Sequence, residues 1–331
     1  MPLYLYIPWF QASAWVFPLP AIAPIEIFGH TLDFPPDVQI HPFGLLVAAG
    51  VVLGAWIAER RARVVGLDPM DVSALSAWVI TSGFFVGHVF DALAYHPDVV
   101  RERPWFVLEV WNGISSFGGF LGAVIGAGIW SAQRRTEGGG HPSIRVAADP
   151  IAFAFPFGWL FGRLGCFVTH DHPGRVTTFF LGVEDYAVGY PPYQVRHDLG
   201  FYEVLWCLAV IPLFLVLVRR ERPRGLFLGL LPVLYAPVRF GLDFLRATDL
   251  DTSDARYLGL TPGHYAAVVL FAAGVLVLWR VWRDPWPKLD PVVALRSPAQ
   301  ERVADEAQRE AHAVGEERPR EPAPDAERRE P

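Results

Sequence analysis

Long apolar blocks constrain this chain more than any other feature of its sequence. Several of them reach the roughly 20 residues that a helix needs to cross a bilayer. Hydrophobic residues occupy 52% of the 331 positions and charged residues only 19%, a balance that does not suit a soluble protein of this size. We therefore predict an all-α polytopic membrane protein.

The apolar blocks predict seven transmembrane helices. The predicted spans are Phe43–Glu59, Val72–Tyr95, Ile114–Ala132, Ala148–Val168, Phe201–Val218, Leu226–Leu245 and Gly263–Trp282. Arginine-rich segments follow the first, third, fifth and seventh spans, and the positive-inside rule places such segments in the cytoplasm. The predicted orientation has the N-terminus outside and the C-terminus inside.

The remaining segments differ in composition from the spans. Residues 1–39 are apolar but broken by prolines, which predicts an interfacial arm with short strands or a hairpin. Residues 40–286 form the predicted transmembrane domain, and within it residues 168–200 form a small periplasmic lobe. The tail, residues 287–331, is rich in Glu, Arg, Ala and Pro, so we expect it to be disordered.

Several classes of function find no support in the composition. The two cysteines, Cys166 and Cys207, lie in or beside apolar helices without C-x-x-C spacing, so a disulfide framework is not expected. There is no basic tract with interleaved aromatic residues, and nucleic acid is not an expected partner. Neither a GxGxxG nor a P-loop stands at a strand–helix junction, so we expect no cofactor.

The stretch of residues 157–175 combines an apolar run with charge. Arg163 stands between glycines near the end of a predicted span, where a charge costs about 2.5–3.5 kcal/mol and indicates a functional site. The alternative is an arginine that snorkels to the lipid headgroups. His170, Asp171 and His172 follow at once; a lone His-x-His is weak evidence for a metal, and we expect none.

A second polar stripe lies in the sixth predicted span. Arg239, Asp243 and Arg246 are spaced i, i+4, i+7, which predicts that they share one face of the helix. An Arg–Asp pair within the helix is a purely structural alternative. Because two arginines face one aspartate, the net positive stripe suits a phosphate, which arginine binds through a bidentate fork.

A third cluster enters the fifth span. Asp198 or Glu203 is expected to cap that helix or to complement its N-terminal dipole. His197 and Tyr202 are candidates for chemistry at the interface, although tyrosine is also common in aromatic belts. In the third span, Gly118-Gly119 marks close helix packing, or alternatively a place where a lipid tail passes.

These segments, in this order, resemble the prolipoprotein diacylglyceryl transferase family of bacterial inner membranes across about residues 40–283. The most specific match is residues 162–167, Gly-Arg-Leu-Gly-Cys-Phe, followed by Gly174-Arg175, which is similar to the family signature. Arg196-His197 with Tyr202-Glu203, and Arg239 with the Asp-Phe-Leu-Arg that ends at Arg246, resemble two further family motifs.

The chain departs from the family pattern at four positions. Phe43 stands where a tyrosine is usual, and Phe117 stands where the family has a catalytically important histidine. Cys166 replaces the signature asparagine, and Asp171 replaces a glutamate. The arginines suited to binding phosphate match the family pattern, whereas the residues that form hydrogen bonds or transfer protons have changed.

The resemblance implies transfer of diacylglycerol from phosphatidylglycerol to the cysteine thiol of a preprolipoprotein, by a multi-pass protein of the bacterial inner (plasma) membrane. It implies phosphatidylglycerol, preprolipoprotein signal peptides and membrane lipids as partners. A family-related phospholipid-binding protein, or a transferase with a different acceptor, is the alternative. A channel is a third class of function, but it would need polar residues through the full depth of the membrane, and here they gather at the outward ends of the spans.

Residue roles follow from the resemblance as hypotheses. Arg163 and Arg239 would hold the phosphate as catalytic residues, and Asp243 would orient Arg239. Arg246 would contact an outer gate or the glycerol. His170 or His172 would take the thiol proton with Asp171 as orienter, and Cys166 would be a small packing residue. The other positions assigned to substrate binding are Gly118, Gly119, Gly165, Gly174, His197, Tyr202 and Glu203.

Overall fold

The structure is a computed structural model, and the described parts of the chain are given by number here. They are residues 6–8, 14–18, 25–27, 30–32, 37–109, 113–136, 144–185, 194–220, 222–250 and 256–283. The predicted disordered tail lies outside the described residues.

Helices form most of this described chain. In chain order they are α1 Pro42–Val64, α2 Pro69–Tyr95, α3 Pro97–Glu102, a 3₁₀ turn at Pro104–Leu108, α4 Ser116–Thr136, α5 Ile144–Thr169, α6 Leu199–Leu217, α7 Leu226–Asp243 and α8 Pro262–Arg283. Apart from α3 and the 3₁₀ turn, each has 18 residues or more. The long helices coincide with the predicted spans to within a few residues.

Six helices in the described ranges are long and apolar enough to cross a membrane: α1, α2, α5, α6, α7 and α8. The prediction of an all-α polytopic membrane protein is confirmed. The third predicted span is α4, a 21-residue helix that is not one of these six. Its five glycines and its polar last turn lower its mean hydropathy. The count of seven spans and the orientation stay predictions.

Glycines let neighbouring helices cross at very short distances. Where α1 meets α5, a Cβ added at Gly158 would lie 2.6 Å from the Gly50 carbonyl oxygen. Where α4 meets α2, a Cβ at Gly118 would lie 2.8 Å from the Gly87 Cα, and one at Gly119 would lie 3.9 Å from the Gly83 carbonyl oxygen. Small residues of this kind allow membrane helices to associate through backbone contact. The structure thus places Gly118 in a helix-packing contact.

Short antiparallel strands accompany the helices. The strands are β1 Trp15–Pro18, β2 Ile25–Ile27, β3 His30–Leu32, β4 Asp37–Ile40, β5 Pro173–Val176, β6 Val183–Asp185 and β7 Gln194–Asp198. β1 pairs with β4 and β2 with β3, while β5, β7 and β6 form one sheet with β7 in the middle. β7 runs directly into α6, and β5 begins four residues after the end of α5. The three-stranded sheet therefore lies beside the ends of α5 and α6.

Candidate active site at the ends of α5, α6 and α7

Glu203, near the start of α6, is fully buried and collects four polar contacts. Its Oε2 lies 2.9 Å from Arg163 Nε and accepts hydrogen bonds from the Tyr235 hydroxyl at 2.9 Å and Trp159 Nε1 at 3.1 Å. Its Oε1 accepts from Arg239 Nη1 at 3.3 Å. One carboxylate thus fixes an arginine from α5 and another from α7.

Two members of this network were missed by the sequence reasoning. Trp159 precedes Arg163 by four residues, and Tyr235 precedes Arg239 by four residues, so each lies one helical turn before its arginine. The Arg163 guanidinium stacks over the Trp159 ring at 4.4 Å from the centroid. The i−4 spacing of an aromatic residue before a buried arginine was the signal that could have found both.

Asp243 forms a second buried acceptor at the end of α7. Its Oδ1 lies 2.9 Å from Arg239 Nη2 and 3.4 Å from Arg246 Nε. Its Oδ2 accepts from the Thr261 hydroxyl and lies 3.9 Å from His264 Nδ1. Thr261 and His264 reach Asp243 from the start of α8. Because they are far from Asp243 in sequence, no local sequence pattern predicted this contact.

The placement of Arg246 corrects one prediction. The helix ends at Asp243, so the prediction that Arg246 shares a helical face with Arg239 and Asp243 is wrong. After Asp243 the chain turns, and Arg246 pairs with Gly174 in an isolated β-bridge. It reaches the Asp243 carboxylate from that turn. The three charges meet through tertiary structure and not through helical spacing.

The charges of this network do not cancel. Among the residues named so far, three arginines surround two buried carboxylates, so the arginines outnumber those carboxylates by one. The Arg163 side chain is 9% exposed, whereas the side chains of Arg239 and Arg246 are 19% and 20% exposed. Two guanidinium groups therefore keep surface for a ligand, and a guanidinium fork in this setting suits a phosphate.

His170 and Asp198 join the end of α5 to the start of α6. His170 has a positive φ of 57°, and its Nδ1 lies 2.9 Å from Asp198 Oδ2. Asp198 also caps α6, since its side chain accepts from the Phe201 N–H at 2.7 Å. Both side chains are 1% exposed. The structure thus assigns His170 to a buried junction.

The turn at His170 brings three other polar groups together. The Asp171 N–H donates to the Cys166 carbonyl at 3.4 Å, so the chain folds back over the last turn of α5. His172 Nδ1 lies 2.7 Å from Asp171 Oδ1. One metal-ligating atom from each of Cys166, Asp171 and His172 lies within 4.8 Å of the other two. Arg163 Nη1 lies 3.7 Å from Cys166 Sγ, so this group adjoins the arginine network.

The remaining predicted residues line the junction between the sheet and the helices. His197 Nδ1 lies 2.7 Å from the Tyr202 hydroxyl, and burial lowers the pKa of His197 below its ordinary value. A Cβ at Gly174 would lie 2.7 Å from the His197 carbonyl oxygen, and one at Gly165 would lie 2.8 Å from the Phe43 ring. Both glycines permit close packing beside the site.

Arg196 ties the sheet to the segment after α7. It is 1% exposed, and it donates to both carboxylate oxygens of Asp249 at 3.0 and 2.7 Å and to the Gly174 carbonyl at 3.0 Å. The hydrogen bond from Arg196 lowers the pKa of Asp249. These hydrogen bonds from Arg196 hold Gly174 in place, and with it the β-bridge between Gly174 and Arg246.

Fold and site together define a multi-pass membrane protein with a buried cluster of arginines and carboxylates at one end of its helices. A family model described as prolipoprotein diacylglyceryl transferase matches residues 30–280. Because that match covers most of the chain, the chain belongs to the prolipoprotein diacylglyceryl transferase family. The family resemblance inferred from the sequence is confirmed.

Individual relatives agree with the family. The chain is 31% identical over 248 residues to a phosphatidylglycerol–prolipoprotein diacylglyceryl transferase of Chromohalobacter salexigens, covering 73% of this chain and 88% of the relative. It is 30% identical over 252 residues to the transferase of that name from Nitratidesulfovibrio vulgaris, covering 73% and 90%. The identity is 28% over 291 residues to that of Cronobacter sakazakii, covering 78% and 98%.

Proposed function

We propose that this protein transfers the diacylglyceryl group of phosphatidylglycerol to the cysteine thiol of a prolipoprotein, within the bacterial inner (plasma) membrane. The names of its relatives state these two substrates for the relatives. The observation that carries the proposal here is the excess of one positive charge in a buried network whose Arg239 and Arg246 keep exposed surface. That is the environment a lipid phosphate requires.

The arginines stabilise the leaving group. As the bond between the glycerol carbon and the phosphate oxygen breaks, negative charge grows on the phosphate. Arg239 binds it there through its exposed surface, and buried Arg163 adds positive charge behind it; Glu203 holds both guanidinium groups in place, and Asp243 also holds Arg239. Preorganised donors of this kind cost no reorganisation at the moment of reaction. Arg246 lies at the edge of the network and contacts the glycerol part of the lipid.

The acceptor thiol loses its proton beside Cys166. The thiolate is the nucleophile, so the site needs a group that removes the proton. Asp171 is hydrogen-bonded to His172 at 2.7 Å, and this pair lies beside Cys166, which in turn contacts Arg163. His170, in contrast, is buried against Asp198. The groups placed to remove the proton are therefore His172 and Asp171 beside Cys166, and not His170.

The test measures transfer from radiolabelled phosphatidylglycerol to a lipobox peptide by the purified full chain. Arg239→Ala should lower the rate by about 10²- to 10³-fold, the loss typical of one preorganised donor. The matched control is Arg280→Ala, which removes an exposed arginine in the last turn of α8. Equal activity of both variants would contradict the assignment. An inactive wild-type chain that still binds phosphatidylglycerol would favour the lipid-binding alternative.

A further inference from the structure

The group of Cys166, Asp171 and His172 has the chemistry of a catalytic zinc site. Thiolate, imidazole and carboxylate are the three ligand types that Zn²⁺ takes in proteins, and catalytic sites use three protein ligands with one open position. One ligand atom from each residue lies within 4.8 Å of the others. Tetrahedral Zn²⁺ needs ligand atoms about 3.4–3.6 Å apart, as its bond lengths imply. Asp171 Oδ1 and His172 Nδ1, 2.7 Å apart, would separate to that spacing on binding, while any wider gap in the group would close to it.

Of the three residues, only Asp171 and His172 have surroundings that allow those movements. Cys166 is 8% exposed and is fixed in the last turns of α5. Asp171 and His172 follow the helix in the turn set by His170, and their side chains are 38% and 24% exposed. The buried thiol therefore forms the base of the group, and the more exposed pair forms its open side. An open side is where an exogenous ligand would enter.

Charge supports a divalent cation despite the nearby arginine. A Cys166 thiolate and an Asp171 carboxylate together carry two negative charges, which match those of Zn²⁺. Arg163 Nη1 lies 3.7 Å from Cys166 Sγ, but its Nε is paired with Glu203 at 2.9 Å. A ligand thiol loses its proton when it binds a metal, and Glu203 pairs with the Arg163 guanidinium and compensates its charge.

We propose that Cys166, Asp171 and His172 bind one Zn²⁺ whose open position takes the thiol of the acceptor protein. For its catalytic role the inference rests on the proposed function. It replaces deprotonation by a free imidazole with deprotonation by metal binding, since a coordinating thiol loses its proton outright.

The step balances without any further reactant. The acceptor thiol binds the ion and releases its proton to solvent. Its sulfur then forms a bond to the glycerol carbon while the bond from that carbon to the phosphate oxygen breaks. The electron pair leaves on the phosphate, where Arg163 and Arg239 receive the charge. The short distance from Arg163 to Cys166 places the nucleophile and the leaving group in adjoining sites.

The first experiment measures metal binding alone. The full chain is purified through a tag without histidine, stripped with a chelator and titrated with Zn²⁺ and with Co²⁺, whose thiolate charge-transfer band reports a cysteine ligand. We expect one equivalent and the band. Cys166→Ala should abolish the band and weaken binding by more than about 100-fold, beyond the loss seen for outer-shell changes. His172→Gln should weaken binding similarly.

The matched control uses the other cysteine. Cys207→Ala removes a buried thiol from α6 and should keep the metal and the band. Thermal unfolding checks that each variant is folded. An adventitious ion only, shown by substoichiometric metal or by equal binding in both cysteine variants, would overturn the site. If Cys207→Ala fails to fold, His172→Gln decides, because metal binding as tight as that of the wild type would overturn the site.

The second experiment separates this inference from the proposed function. Transfer by metal-free wild type should fall at least 100-fold and return with one equivalent of Zn²⁺. Full activity without metal would overturn the catalytic role while leaving diacylglyceryl transfer intact. No transfer in either state, together with metal binding that depends on Cys166, would overturn the proposed function and keep the site.

Discussion

Replacing Glu203 with glutamine tests the arginine network most directly. The side chain keeps its size but loses its charge, and it is fully buried among four hydrogen-bond donors. One acceptor oxygen becomes an amide NH₂ that faces donors. Arg163 and Arg239 are then left with one carboxylate, Asp243, which contacts only Arg239 of the two.

The size of the effect follows from the cost of breaking a buried ion pair. Removing one partner costs about 3–5 kcal/mol. For a chain of this length that corresponds to a fall in Tm on the order of 10 °C. If the whole cost falls on the transition state, the transfer rate drops by about 10²- to 10⁴-fold. Glu203→Asp, which keeps the charge but shortens the side chain, should lie between the two.

Thermal unfolding in detergent and the transfer assay measure these losses. Glu59→Gln is the matched control, because Glu59 is 37% exposed and pairs with Arg63 at 3.9 Å, a surface contact that contributes at most about 1 kcal/mol. Phosphatidylglycerol should raise the Tm of Glu203→Gln more than that of the wild type, since its phosphate compensates the unpaired arginines. Equal Tm and activity of the Glu203 and Glu59 variants would refute the reasoning.

Two further predictions concern the scaffold. Asp249→Asn removes the carboxylate that pairs with buried Arg196; because that pairing lowers the pKa of Asp249, its contribution is present above the ordinary value of 3.8 and is lost as pH falls. The free energies of unfolding of variant and wild type should therefore differ at pH 7 by no more than about 1 kcal/mol, given the exposure of Asp249, and their Tm values should converge near the acid limit of folding. A Tm difference independent of pH would contradict this. Gly158→Val should abolish folded yield in size-exclusion chromatography, because its Cβ would lie 2.6 Å from the Gly50 carbonyl oxygen. Gly128→Val, at a glycine with open space, is the control, and equal yields would show that the crossing tolerates a side chain.

The sequence predicted the elements better than it predicted the site. Hydropathy located the long helices, because burial in a bilayer demands continuous apolar residues over a whole helix. Glycine-rich α4 was located as well, although its glycines, which serve packing against α2, weaken its apolar signal. Arg163 was identified as a candidate because charge is costly inside such helices. Arg239 was identified by its spacing to Asp243, and Glu203 by the family resemblance.

Pairings within the site were less predictable. The His-x-His pattern suggested two similar histidines, but the turn at His170 sends that residue to Asp198 and leaves His172 beside Asp171. A backbone φ of 57° at one residue reverses which side chains share a face, and no local pattern announces it for a histidine.

The sequence by itself determined the membrane class, the approximate spans, the family and the presence of charged residues near helix ends. These depend on composition along one segment at a time. Only the tertiary structure decided that Glu203 joins Arg163 to Arg239 and that Arg246 reaches Asp243 from beyond the helix. It alone placed Cys166 beside Asp171 and His172. Buried charges must find partners wherever the helices bring them together, and the helix crossings that do so are set by backbone contacts between segments far apart in the chain.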